Sequence, residues 1–311
     1  MEPDTSRAGQ QIGEMDVALC RATLYNALAL GFRPPEEETI TRLCSKDGSA
    51  ALAAAAAILD PDRESGLAAA CSLLTARSSW FDPSASLRTG RLTMTLSGIE
   101  GSLLTLTESH RRLFGHSARG AVPPYETEYG AEALFQQPQE MGDLMGFYNA
   151  FGLALNGRQH ERADHVSCEC EFLCFLALKE AYALEHGDDS MLEETRKAER
   201  LFLRDHLARF LPAFAKKLTR AEHPHPFPLP LGEGEGEGEV TGTGEGEPQS
   251  FYRALAEICL KFFALESARF SVRLGPENLT LRPADDERVP MACGSGECPA
   301  MPGVSELDET E

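Results

Sequence analysis

Two short stretches concentrate the residues able to do chemistry. The first, Pro123-Pro124-Tyr125-Glu126-Thr127-Glu128-Tyr129-Gly130, puts two phenol rings and two carboxylates on a backbone restrained by its prolines. That combination suits a guanidinium, because carboxylates accept its paired N–H groups and an aromatic face attracts its charge. The same residues would also make an ordered turn with the tyrosines packed inward. The second stretch is Asp164-His165, directly before the most apolar run of the chain. An Asp in that position reads as a helix N-cap, contributing about 1 kcal/mol through a bond to a free backbone amide. A capping Asp at the edge of a groove still accepts from an arginine, so the two readings are compatible.

Other reactive residues form weaker patterns. Cys293 and Cys298 in CGSGEC lack the further Cys or His that a four-ligand metal site needs. Cys168, Cys170 and Cys174 fall where small apolar side chains fill a helix face. The glycines of 232–246 alternate with Glu outside the strand-to-helix setting that phosphate binding requires, and neither a Walker A loop nor a repeated Glu-x-x-His pattern occurs. Arg111-Arg112 is internal and no apolar stretch follows it. No metal and no cofactor is expected. A small helical metal- or cofactor-binding enzyme using His110, His116, His165 and nearby carboxylates is the alternative.

The elements that must position these residues all read as helices. Ala18, Leu19, Ala22, Leu24, Tyr25, Leu28 and Leu30 give an amphipathic helix ending at Gly31, and Ala-rich helices follow at 36–46, 49–59 and 62–77. Residues 78–98, with Trp80, read as loop with short helix, and 100–114 returns to helix. Met141, Leu144, Met145, Tyr148, Phe151, Gly152 and Leu155 recur at three- and four-residue spacings, as one buried stripe requires. Val166, Cys170, Leu173, Ala177, Ala181 and Leu184 form a stronger stripe, which makes that helix central. Helix continues over 189–220, with a break expected near Pro212, and again over 249–271. The expected fold is therefore an all-α, single-domain bundle.

Between the last two helices, 223–248 is Pro-rich and then Gly/Glu-alternating, too poor in apolar residues to offset its ordering entropy, and is expected to be a disordered insertion. The expected organisation is a disordered 1–14, a helical body over 15–275 carrying that insertion, and an acidic flexible tail over 276–311.

Composition narrows the partners. The 311 residues carry a formal charge of -20, which disfavours nucleic acid and anionic membranes and fits a basic partner. Six Glu in 232–248 and five acidic residues in 297–311 account for more than half of that excess. Nine scattered Cys read as reduced thiols of a cytoplasmic protein. No basic start leads into an apolar run and no segment approaches the length of a membrane span, so neither export nor membrane insertion is expected.

Three segments carry a family resemblance: RRLFGHSARGAVPPYETEYG at 111–130, MGDLMGFYNAFGLAL at 141–155 and ERADHVSCECEFLCFLALKEAYALEHG at 161–187. In order and spacing they resemble the TorD/DmsD/NarJ redox enzyme maturation chaperones, most of all those serving type II DMSO reductase-family molybdoenzymes. The chain departs from the family at Ala163, where Pro is frequent, and at His110, where an aromatic residue is usual. The resemblance implies an all-α chaperone without catalytic activity. Its partner would be the molybdopterin-containing catalytic subunit of such an enzyme, together with that subunit's twin-arginine signal peptide. Asp164 and His165 match the pair implicated in signal-peptide binding. Tyr125, Glu126 and Tyr129 join them as client-contacting residues, with Phe147, Tyr148 and Phe151 as groove lining. A factor that contacts only the folded body of its client is a third reading.

Overall fold

The computed structural model describes residues 13–75, 98–115, 119–130, 136–156, 161–221 and 251–283. The expectations for Trp80, His116, the 223–248 insertion, Cys293 and Cys298 lie outside them. Among the described residues the regular structure is helical: α1 Glu14–Phe32, α2 Glu37–Leu43, α3 Lys46–Leu59, α4 Leu67–Thr75, α5 Gly98–Phe114, α6 Gln136–Ala150, α7 Val166–His186, α8 Asp189–Asp205, α9 Leu207–Ala221 and α10 Phe251–Phe270. One 3-10 turn covers Glu126–Glu128, and three isolated β-bridges tie loops together. The expected all-α fold is what the chain adopts, and none of its described helices is long and apolar enough to cross a membrane.

Local chemistry sets the ends. Ser45 caps α3 by accepting from the Gly48 amide, and Asp188 caps α8 by accepting from Met191. The helix expected over 62–77 starts only at Leu67, because Asp60 binds the Ser65 hydroxyl at 2.6 Å and holds a turn in which Arg63 has a φ of 57°. The break expected at Pro212 falls instead at His206, between α8 and α9. Pro212 stays helical although it has no N–H for the Ala208 carbonyl, because the Gly275 amide donates to that carbonyl at 2.7 Å. Only glycine fits there: a Cβ on residue 275 would lie 2.1 Å from the Arg209 carbonyl oxygen.

Helices α1 and α7 form the central pair. Arg21 reaches Glu180 and Arg33 reaches Glu171, so the two run antiparallel. Helix α3 packs on α1, α8 on α7, and α10 on both α9 and α4. In the apolar core Phe32 meets Phe114 and Phe214 edge-on, Phe114 meets Tyr252 edge-on, and Phe114 stacks on Phe214, with ring centroids 5.2 to 6.3 Å apart. Leu19, expected in the buried stripe of α1, is instead 42% exposed, and Arg21 is fully buried. Its guanidinium bonds Glu180, Glu199 at 2.9 Å and Glu266 at 2.9 Å, and the Tyr25 hydroxyl donates to Glu266 at 2.6 Å. One arginine thus joins α1, α7, α8 and α10.

The chain also stays packed beyond the expected end of the body at 275. Leu281 bridges Tyr129, the Arg282 amide donates to the Glu128 carbonyl, and the buried Arg282 side chain lies 3.1 Å from Glu140. Residues 280–282 therefore clamp the 123–130 segment, and the packed chain runs past 276. The acid-rich residues that suggested a tail from 276 begin later in the sequence.

Candidate functional site

The two stretches singled out by their chemistry meet. Tyr125 pairs with His165 in an antiparallel bridge, the Glu126 amide donates to the Asp164 carbonyl at 2.9 Å, and the Val166 amide donates to the Pro124 carbonyl at 2.8 Å. Each segment thereby satisfies backbone groups that the prolines and the helix start leave free.

The expected N-cap is displaced by one residue. His165 caps α7, its Nδ1 accepting from the Ser167 amide at 3.1 Å, and Asp164 lies one position earlier. Asp164 is wholly buried. It accepts from the Thr127 hydroxyl at 2.7 Å and from Nε and Nη2 of Arg162 at 2.9 and 2.7 Å. Its carboxylate is thus engaged inside the chain and holds the 3-10 turn against the start of α7. Burial, with His110, Arg33 and Arg162 nearby, pushes the His165 imidazole down to about 3, although Glu161 lies 3.2 Å from Nε2.

Three further expected contact residues point inward. Tyr129 is buried against Phe210 and donates to the Pro123 carbonyl at 2.9 Å. Glu126 is buried with its Oε2 3.0 Å from Nδ1 of His206, and burial raises its carboxyl above the usual range. Tyr148 is buried, donating to the Ala163 carbonyl at 2.8 Å. Phe147 and Phe151 are half-buried against Phe172. Tyr125 is half-exposed, with its ring edge-on to His165 and the Arg162 guanidinium 4.4 Å from its centre.

Beside this junction lies a groove of about 420 Å³. Tyr148, Phe172 and Phe175 line it from α6 and α7, and Leu153 and Leu155 line it from the chain after α6. Its polar lining includes Arg33, Asn156, Glu161 and Glu171, with Arg33 and Glu171 joined in an ion pair. Of the expected groove residues, Tyr148 lines it; Phe147 and Phe151 pack behind it.

The spacing argument missed Leu153, Leu155, Phe175 and the polar lining by extending the stripe of α6 through Leu155. Gly152 was the available signal: at a φ of 70° it ends the helix, with the Leu153 amide returning to the Tyr148 carbonyl, so that 153–156 turn out along the groove. Among the described residues no group of three or more His, Cys, Asp or Glu is arranged to hold a metal ion.

Sequence comparison gives the relatives of this all-helical body. Residues 84–216 match the family model described as the nitrate reductase delta subunit. The chain is 38% identical over 95 residues to the chlorate reductase assembly chaperone protein of Ideonella dechloratans, 30% of this chain and 45% of that one. It is 41% identical over 76 residues to the selenate reductase assembly chaperone protein of Thauera selenatis, covering 24% and 38% of the two chains. It is 30% identical over 127 residues to the chaperone protein TorD of Vibrio cholerae, covering 40% and 55%. The chain therefore spans about half the length of these relatives. No solved structure matches it. The resemblance read from the three motif segments holds: the family model and the relatives named as TorD and as reductase assembly chaperones match this chain over part of its length.

Proposed function

We propose that the chain is a cytoplasmic assembly chaperone for the molybdopterin-containing catalytic subunit of a DMSO reductase-family enzyme, and that it makes and breaks no bond itself. It holds the subunit open for cofactor insertion and covers its twin-arginine signal peptide before export. One observation carries this reading: the two chemistry-bearing stretches, both inside the region that matches the family model, meet at the 123–130/161–168 junction, and a groove lined in part by Leu153, Leu155, Phe172 and Phe175 lies beside it.

Magnitudes assign the roles. Exposed ion pairs contribute roughly 0 to 1 kcal/mol each, whereas burying one Leu or Phe contributes about 1.5 to 3 kcal/mol. A few apolar residues of a leader seated against Leu155, Phe172 and Phe175 therefore outweigh both of its arginines. Glu126, Tyr129, Asp164 and His165 act by shaping the junction, and Tyr148 borders the groove from that side.

Titrating the full chain with a twin-arginine signal peptide tests this. Replacing the peptide's arginines by lysine weakens binding modestly, and polar replacement of its apolar stretch abolishes binding. The opposite ranking overturns the proposal.

A further inference from the structure

The geometry points to a guanidinium cradle formed by Tyr125, Thr127 and Asp164, which the chain's own Arg162 fills as a stand-in for an arginine of the client. The inference rests on the chaperone reading above and adds an occupant and an exchange to it.

The contacts are those of a site built for this group. Arg162 presents Nε and Nη2 to the two oxygens of Asp164 at 2.9 and 2.7 Å, a forked pairing that lysine cannot reproduce. Its Nη2 also donates to the Thr127 hydroxyl at 2.8 Å, and the guanidinium stands 4.4 Å from the centre of the Tyr125 ring. The Glu128 carboxylate lies 4.0 Å from Nη1.

Burial is unequal across the pair. Asp164 is fully buried, whereas the Arg162 side chain is 44% exposed. A buried carboxylate left without its cation is strongly disfavoured, so an empty cradle readily takes up another guanidinium. The occupant, however, is able to leave by rotating into solvent, and another arginine then meets the same partners.

Tethering decides which arginine competes. Arg162 acts at an effective concentration of about millimolar or higher, so a dilute free arginine does not displace it. An arginine attached to an apolar segment lying in the groove gains a comparable advantage. Glu161, the neighbour of Arg162 in sequence, lines that groove. Exchange thus couples recognition of the arginine to occupancy of the groove: a peptide that seats its apolar stretch without an arginine leaves Arg162 in place and binds modestly more weakly, and an arginine without an apolar stretch does not displace it.

The test compares the full wild-type chain with Arg162→Ala, using Arg162→Gln where the alanine variant fails to fold. The first probe is a synthetic peptide with an arginine pair followed by an apolar stretch. Emptying the cradle tightens binding of this peptide by about tenfold or more, because the competing occupant no longer reduces the binding-competent fraction. The lysine version of the peptide gains little, and adding Asp164→Asn removes the gain. Equal or weaker binding by the variant, with the wild type binding normally, shows Arg162 to be only a structural pin and overturns the inference while leaving the chaperone reading intact.

The second probe is arginine amide at millimolar concentration, read by thermal shift. It stabilises Arg162→Ala more than the wild type, and Asp164→Asn abolishes the difference. Absence of that difference overturns the cradle. Its presence in a chain that binds no peptide supports the cradle and defeats the chaperone reading.

Discussion

Replacing Arg21 by Met would remove the cation shared by Glu180, Glu199 and Glu266 in the interior while keeping most of the apolar volume; Glu180 would keep Arg196 at 2.7 Å and Arg269 at 3.3 Å. All four side chains are at most 2% exposed, so water does not compensate Glu266, the carboxylate left without a cation. Breaking a buried ion pair from one side destabilises by about 3 to 5 kcal/mol. Against the roughly 5 to 15 kcal/mol of a typical domain, the variant folds but unfolds early, its urea midpoint falling by about 1 to 2 M. Glu199→Gln is the control. Burial holds the Glu199 carboxyl at about 8, so at neutral pH it already carries its proton, and glutamine keeps an acceptor for Arg21. Its loss should stay under about 1 kcal/mol. Because the folded pKa is raised, the stability that Glu199 contributes is present at low pH and is lost as pH rises from the ordinary carboxylate range through about 8. Glu199→Gln removes that slope. Equal losses for the two variants, or a loss below about 1 kcal/mol for Arg21→Met, would refute the reasoning.

Two more outcomes follow from particular contacts. His165 is neutral in the folded chain down to about pH 3, so its contribution is complete above the ordinary histidine range near 6.5 and is lost as pH falls, by at most about 1.4 kcal/mol per unit. His165→Asn keeps an acceptor for the Ser167 amide and flattens the acid limb of stability measured by urea unfolding between pH 6.5 and 4. An unchanged limb assigns that proton uptake elsewhere. Gly275→Ala forces a methyl against the Arg209 carbonyl and lowers stability by about 1 to 3 kcal/mol, with faster amide exchange at Gly275 itself. A neutral effect means the Ala208 carbonyl needs no such partner.

Helical periodicity was legible wherever a stripe ran uninterrupted, as in α7, whose expected face from Val166 to Ala181 is buried. It failed where tertiary contacts overrule local rules. Pro212 does not break its helix because a residue 63 positions away supplies the missing donor. Arg21 was invisible as a core residue because its three partners lie on three other helices. The meeting of 123–130 with Asp164-His165 was legible from residue chemistry. Its burial was not, since nothing local says that Tyr129 faces Phe210 or that Asp164 is already held by Arg162. The groove escaped for a local reason: one glycine at 152 separates a longer helix from a turn that opens a cleft.

A photo-crosslinking residue at position 155, where Leu155 is 38% exposed on the groove, tests the central claim most directly. With the full chain and its client subunit produced together, the adduct is predicted to map to the apolar stretch of the subunit's leader and to vanish when that stretch is made polar. Adducts confined to the mature body of the subunit, or none at all while the two proteins still associate, would contradict the account.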